Sequence, residues 1–256
     1  MKNKLTELFL RKNKNVLNIY CTAGYPNLDS TSDVLLALQK NGADIIEVGM
    51  PYSDPIADGP VIQQSNLQAI QNGMTISLLF KQLNEVKNKI TVPLILMGYF
   101  NPVLQYGIEK FCKDADDAGV AGMIIPDMPM YEYEIIYKPI FEKYNFSFIF
   151  LITPQTSDKR IKEADKLSSG FLYAVSSTST TGAALDTTGQ SEYFKRIAAM
   201  KLKNPIMIGF GINNKQTFDA ACEYAAGAII GSAYIKALAN NEDVETATAS
   251  FINSIK

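Results

Sequence analysis

Apolar residues recur along the chain in short, nearly continuous runs, separated by longer stretches in which they fall at helical spacing. Eight runs stand out: LNIYCT (17–22), DIIEVG (44–49), PLILMG (93–98), GMIIPD (122–127), SFIFLIT (147–153), GFLYAV (170–175), PIMIGF (205–210) and GAIIGS (227–232). Such runs suit strands covered on both faces, and their alternation with helical patterns predicts βα units around a parallel sheet. The stretch DSTSDVLLALQKNG opens with Asp29 and Ser30 as caps and closes at Gly42. KNGADIIEVG, DAGVAGMIIPD and YAAGAIIGS share one device, a helix ending in glycine and then a strand. Ahead of the first run, Leu5, Leu8 and Phe9 lie at helical spacing among lysines. At 256 residues, close to the roughly 250 of an eight-unit barrel, the pattern predicts a (β/α)8 TIM barrel. It forms one domain over residues 1–256 and carries an extra N-terminal helix.

Two connections break the rhythm. PYSDPIADGPVIQQSNLQAIQNG follows Met50, and SSTSTTGAALDTTGQ follows Val175. Both come after a strand's C-terminal end, the face on which barrels of this kind build their sites, and loops of that length are usually functional.

Composition narrows the chemistry. A net charge of -2 with 20% charged residues shows neither a basic nucleic-acid footprint nor a disordered tail. The N-terminus lacks the apolar run of a signal peptide and no stretch reaches the roughly 20 apolar residues of a membrane span, so a cytoplasmic protein is expected. Cys21, Cys112 and Cys222 are odd in number and form no CxxC pair, which signals neither a disulfide framework nor a thiolate metal site. The chain contains no histidine, so the commonest general base and metal ligand are missing; no metal is expected. None of the eight runs holds a lysine for a Schiff base. Of the three familiar routes by which a barrel lyase breaks a carbon–carbon bond, Schiff-base lysine, metal or acid–base residues, only the last stays open to this chain.

Glu47 interrupts the apolar run IIEVG near its C-terminal end. A strand glutamate is ordinarily half of a structural ion pair. Between Asn41 and Phe80, however, there are four carboxylates, Asp44, Glu47, Asp54 and Asp58, and no Lys or Arg. A carboxyl left unpaired in an apolar lining has its pKa raised, which suits a group that takes and gives a proton near neutrality. Asp58, in IADGP, would be plain turn chemistry if it stood alone, but Pro55 and Pro60 stiffen the loop around it. Asp54 is assigned to the loop's own hydrogen bonding. GFGIN (209–213) and IGSAY (230–234), with a helix starting at Ser232, match the place where barrels hold phosphate on backbone N–H groups. GFGINN fails the dinucleotide fingerprint, which favours a small phosphorylated substrate.

The segment EVGMPYSDPIADGPVIQ (47–63) closely resembles the signature of tryptophan synthase alpha subunits, and the resemblance continues through NPVLQYG, TTGA, GFGI and GSA over nearly the whole chain. It implies retro-aldol cleavage of indole-3-glycerol phosphate to indole and glyceraldehyde 3-phosphate. Glu47 then matches the proton shuttle between indole C3 and the glycerol hydroxyl. Asp58 matches the aspartate that accepts the indole N–H, and Tyr173 an assisting tyrosine, although an ordinary core aromatic also fits there. Gly182, Gly211, Gly231 and Ser232 match backbone phosphate ligands. Tyr20, Met97, Tyr99 and Phe210 match the indole pocket, where plain core packing is the competing account. Thr181 matches the loop-closing threonine, and Asp127 an aspartate of the fourth strand tied to communication with the partner. The family's loop after the sixth strand commonly reads GVTG, whereas this chain has Ser179, Thr180, Thr181 and Gly182. The resemblance implies no cofactor in this chain and a pyridoxal-phosphate beta subunit as partner in an αββα complex. Two rivals stay open: a free-standing indole-3-glycerol phosphate lyase, and an inert barrel that binds a phosphometabolite or only activates the beta subunit.

Overall fold

The computed structural model describes residues 3–175, 187–209, 211–239 and 243–256. Thr181, Gly182, Phe210 and the loop SSTSTTGAALD lie outside the described residues.

The apolar runs form parallel strands: β1 (Val16–Thr22), β2 (Ile45–Gly49), β3 (Leu94–Met97), β4 (Gly122–Ile124), β5 (Ser147–Phe148), β6 (Leu151–Ile152), β7 (Leu172–Val175), β8 (Ile206–Gly209) and β9 (Gly227–Ile230). They are ordered β5-β4-β3-β2-β1-β9-β8-β7-β6. The two ends of that order, β5 and β6, are halves of the single run predicted at 147–153. Within it the Ile149 N–H donates to the Met123 carbonyl on one side, and the Phe150 carbonyl accepts from the Tyr173 N–H on the other. One stretch of chain thus joins both edges of the sheet, and the sheet closes as the predicted eight-unit barrel.

Strand alternation sorts the apolar residues into two cores. Leu17 and Ile19 of β1, Ile46 and Val48 of β2, and Leu94 and Leu96 of β3 pack outward under the helices. The alternate positions, Val16, Ile45, Ile95, Ile124, Tyr173, Met207 and Ile229, form a separate cluster inside the barrel. Leu5 and Leu8 of the N-terminal helix Lys4–Arg11 join this inner cluster. The helix is fixed by Asn3, whose side chain accepts from the Leu5 N–H and donates to the Ala121 and Asn145 carbonyls. It therefore plugs the N-terminal mouth, the end opposite to the site. Leu5→Ala should destabilise the protein by about 2–5 kcal/mol, lowering Tm by roughly 5–15 °C for a domain of this size. Leu10→Ala, on a side chain 72% exposed, should leave Tm nearly unchanged; equal effects in calorimetry would exclude the plug.

Three details depart from the sequence reading. Helix Ser30–Asn41 ends at Gly42 in the left-handed region as expected, but Asp29 makes no side-chain capping bond. Gly119 also has positive φ after its helix, whereas Gly227 is the first residue of β9 rather than a helix end. The long connection after Met50 is irregular only to Gly59, because Pro60–Gln71 is a helix with proline in its first turn. Its inner face includes Ser65 and Asn66 beside Ile62 and Ala69, so polar residues conceal the apolar stripe.

Candidate active site

Inward positions at the C-terminal ends of β1 and β2 carry polar groups where the rest of the lining is apolar. Strand register sets Glu47 between Tyr20 and Ile95, and places Asn18 opposite Ile45 on the same inward face. Asn18 Nδ2 donates to Glu47 Oε2 at 2.9 Å, and both side chains are buried, at 0% and 1% exposure. The carboxyl has no partner from its own segment, as the sequence predicts; its one side-chain partner among the described residues comes from the neighbouring strand and is a neutral amide. Burial pushes Glu47 up to about 8; the Asn18 bond opposes this and the nearby Asp58 charge adds to it.

Asp58 is held from several sides. Its N–H donates to the Pro55 carbonyl, and Gln63 Nε2 donates to the carbonyls of Asp58 and Pro55. Tyr99, preceding helix Phe100–Tyr106, accepts from the Ala57 N–H at 2.9 Å and donates from its hydroxyl to Asp58 Oδ2 at 3.2 Å. Burial raises Asp58 to about 6, against the lowering effect of the Tyr99 bond. Asp54 accepts from the Ser53 hydroxyl and, through its carbonyl, from Ile56 N–H, the local role expected of it.

Two tyrosines complete the wall, each admitted by a glycine. A side chain at Gly49 would overlap the Tyr20 hydroxyl, and one at Gly209 would overlap that of Tyr173. Gly209 thus makes room for the Tyr173 ring. Burial holds both phenols far above neutrality, with the charges of Glu47 and Asp58 adding to the effect, so each stays protonated. The structure brings Glu47, Asp58, Tyr20, Tyr99 and Tyr173 together. Met97, inward at the end of β3, is half-buried and packs against the inner core.

The glycine-bearing ends lie beside this group. A Cβ at Gly231 would sit 3.5 Å from Tyr20 Cβ, an ordinary contact. Ser232 starts helix Ser232–Ala239, as expected, and Gly211 holds φ +77° in the left-handed region. Asp127 accepts from the Phe100 N–H at 2.9 Å, fastening the helix that follows Tyr99.

Comparison with known proteins decides the family. A family model described as tryptophan synthase alpha chain matches residues 7–255. The chain belongs to the tryptophan synthase alpha chain family. It is similar to the tryptophan synthase alpha chain of Flavobacterium psychrophilum, at 54% identity over 91% of this chain and 92% of that one. That of Parabacteroides distasonis is 49% identical over 99% of each. Among solved structures, tryptophan synthase subunit alpha from Legionella pneumophila superposes with a TM-score of 0.89 at 30% identity, covering 100% of this chain and 97% of that one. Tryptophan synthase from M. tuberculosis in an aminoacrylate-bound form gives 0.86 at 28%, covering 99% and 100%. As a tryptophan synthase alpha chain the protein is a carbon–carbon lyase of tryptophan biosynthesis, and neither rival reading is favoured. The residue that sequence reasoning overlooked is Asn18. Its signal was available: it is a polar side chain at the inward position two residues before Tyr20.

Proposed function

We propose that Glu47 and Asp58 divide the acid and base work of the alpha reaction between them. The supporting observation is a buried Glu47 carboxyl and a half-buried Asp58 carboxyl held apart in pKa, near 8 and near 6; such separation assigns acid and base roles. At neutral pH Glu47 enters the cycle as the acid and Asp58 as the anion. Glu47 gives its proton to indole C3 of indole-3-glycerol phosphate, while Asp58 accepts the ring N–H and balances the positive charge. The Glu47 carboxylate then takes the proton of the glycerol hydroxyl next to the ring. The carbon–carbon bond breaks, its electrons return to the ring, and indole and glyceraldehyde 3-phosphate leave. Glu47 ends the cycle protonated, as it began. Tyr173 serves as a neutral donor beside the two carboxyls. Tyr20, Met97, Tyr99 and Phe210 enclose the indole.

Gly211, Gly231 and Ser232, with Gly182, hold the phosphate. Backbone N–H groups at a helix start favour an anion, and Thr181 closes the loop over it. The partner is the tryptophan synthase beta subunit, which carries the pyridoxal phosphate; no cofactor is assigned to this chain. Ile56, 85% exposed and two residues from Asp58, is an apolar group that such a partner would cover. Among the described residues no helix is long and apolar enough to cross a membrane. Three buried free thiols fit a reducing, cytoplasmic setting.

The pH profile of indole formation tests the assignment. kcat/KM should rise through about 6 as Asp58 ionises and fall through about 8 as Glu47 loses the proton it must donate. The alkaline limb is diagnostic, because a phosphate monoester itself ionises near pH 6. A rate still climbing through pH 8 would reverse the order of the two proton steps.

A further inference from the structure

Asn18 is completely buried on the floor of the site. Its Nδ2 contacts Glu47 Oε2, yet its Oδ1 has no hydrogen-bond partner among the described residues. A buried carbonyl oxygen without a partner is unusual in a folded protein and calls for a reason. The reason lies in what Glu47 does. A carboxylate accepts hydrogen bonds only, whereas a carboxylic acid has an O–H to donate. A side-chain amide offers one group suited to each, and a half-turn of the amide exchanges N–H for C=O with almost no change of shape.

We propose that Asn18 is the positioning residue of the proton shuttle: its amide presents N–H to the Glu47 carboxylate and, turned over, the unused carbonyl to the Glu47 carboxylic acid. The inference rests on the reading of Glu47 as the shuttle. The Glu47 carboxyl is then held in one place through both proton transfers. The carboxylate formed when indole C3 takes its proton gains a donor once the amide turns its N–H back to it. The other titratable groups around Glu47 are Asp58 of the loop, Tyr20 of β1 and Tyr173 of β7, with Cys21 on the outward side of β1 close enough to feel its charge. Each of them is neutral or anionic. No other side chain among the described residues lowers the Glu47 pKa.

The test compares Asn18→Leu and Asn18→Asp, both close to asparagine in shape, with the wild type. Rates are measured against pH, and Glu47 is titrated directly through the carboxyl infrared band that disappears in Glu47→Gln. In Asn18→Leu the carboxylate loses its donor. Its infrared titration and the alkaline limb of the rate should both move up by roughly one pH unit, with kcat roughly tenfold lower and KM little changed. In Asn18→Asp a second carboxylate repels the first, so both should move higher still. A loss of kcat with the limb and the band unmoved would overturn the proposal and leave Asn18 a packing residue. If the leucine variant fails to fold, the aspartate variant decides on the same two readouts. Failure of the shuttle reading shows separately, as activity retained in Glu47→Gln.

Discussion

Glu47→Gln should abolish indole formation and at the same time make the protein more stable. Glutamine keeps the shape and can still accept from Asn18, but it cannot deliver a proton and take one back. Removal of a general acid–base group costs about 100 to 10,000-fold, and a residue that serves both proton steps belongs at the upper end. The chain has no histidine, and the neighbouring tyrosines stay protonated, so no substitute stands by. The stability gain follows from the raised pKa. Because Glu47 sits at about 8 in the folded protein against 4.5 for an ordinary glutamate, the folded state binds the extra proton between those values. Stability is therefore lost as pH rises from about 4.5 towards 8. A neutral glutamine escapes this loss, which at pH 7 reaches up to about 3 kcal/mol. Thermal melts should show the variant several degrees above wild type at pH 7.5 and level with it near pH 4.5. Retention of more than a tenth of wild-type kcat, or a Tm gap independent of pH, would return Glu47 to a structural role.

Asp58→Asn should lower kcat by about 100 to 1,000-fold, the loss typical when a preorganised charge partner of a transition state is removed. The loop should survive: Pro55, Gln63 and Ala57 hold it through backbone atoms, and an asparagine oxygen still accepts from Tyr99. KM should then change less than kcat. Asp58 also raises the Glu47 pKa by its charge, so the residual activity should lose its alkaline limb at a pH below 8. A limb that stays in place would show that the two carboxyls do not sense each other.

The barrel was legible in the sequence because strands covered on both faces must be apolar nearly throughout, and eight such runs leave few alternatives. Glu47 was legible for the same reason, as the carboxyl that breaks one of those runs. What escaped was less regular. Asn18 interrupts its run too, but an amide carries no charge, and its meaning depends on a side chain 29 positions later. Helix Pro60–Gln71 was hidden because it buries Ser65 and Asn66, which read as loop residues. The space that Gly209 leaves for the ring of Tyr173 also escaped, since a sequence cannot show which ring comes to lie against a glycine. The break between β5 and β6 in SFIFLIT is likewise invisible to composition: the run is apolar throughout, and its pairing changes sides within it.

The pairing of β1 with β9 has a consequence for synthesis. Val16 lies opposite Gly227 and Ile19 opposite Ile230, so the strand made first is completed by the strand made last. Roughly 210 residues separate them, about 10–40 s of translation at 5–20 residues per second. Throughout that interval β1 keeps one bare edge, and the inner cluster that Leu5 and Leu8 help to fill stays open to water. Until β9 arrives, that row of free N–H and C=O groups is a template on which another extended chain can pair.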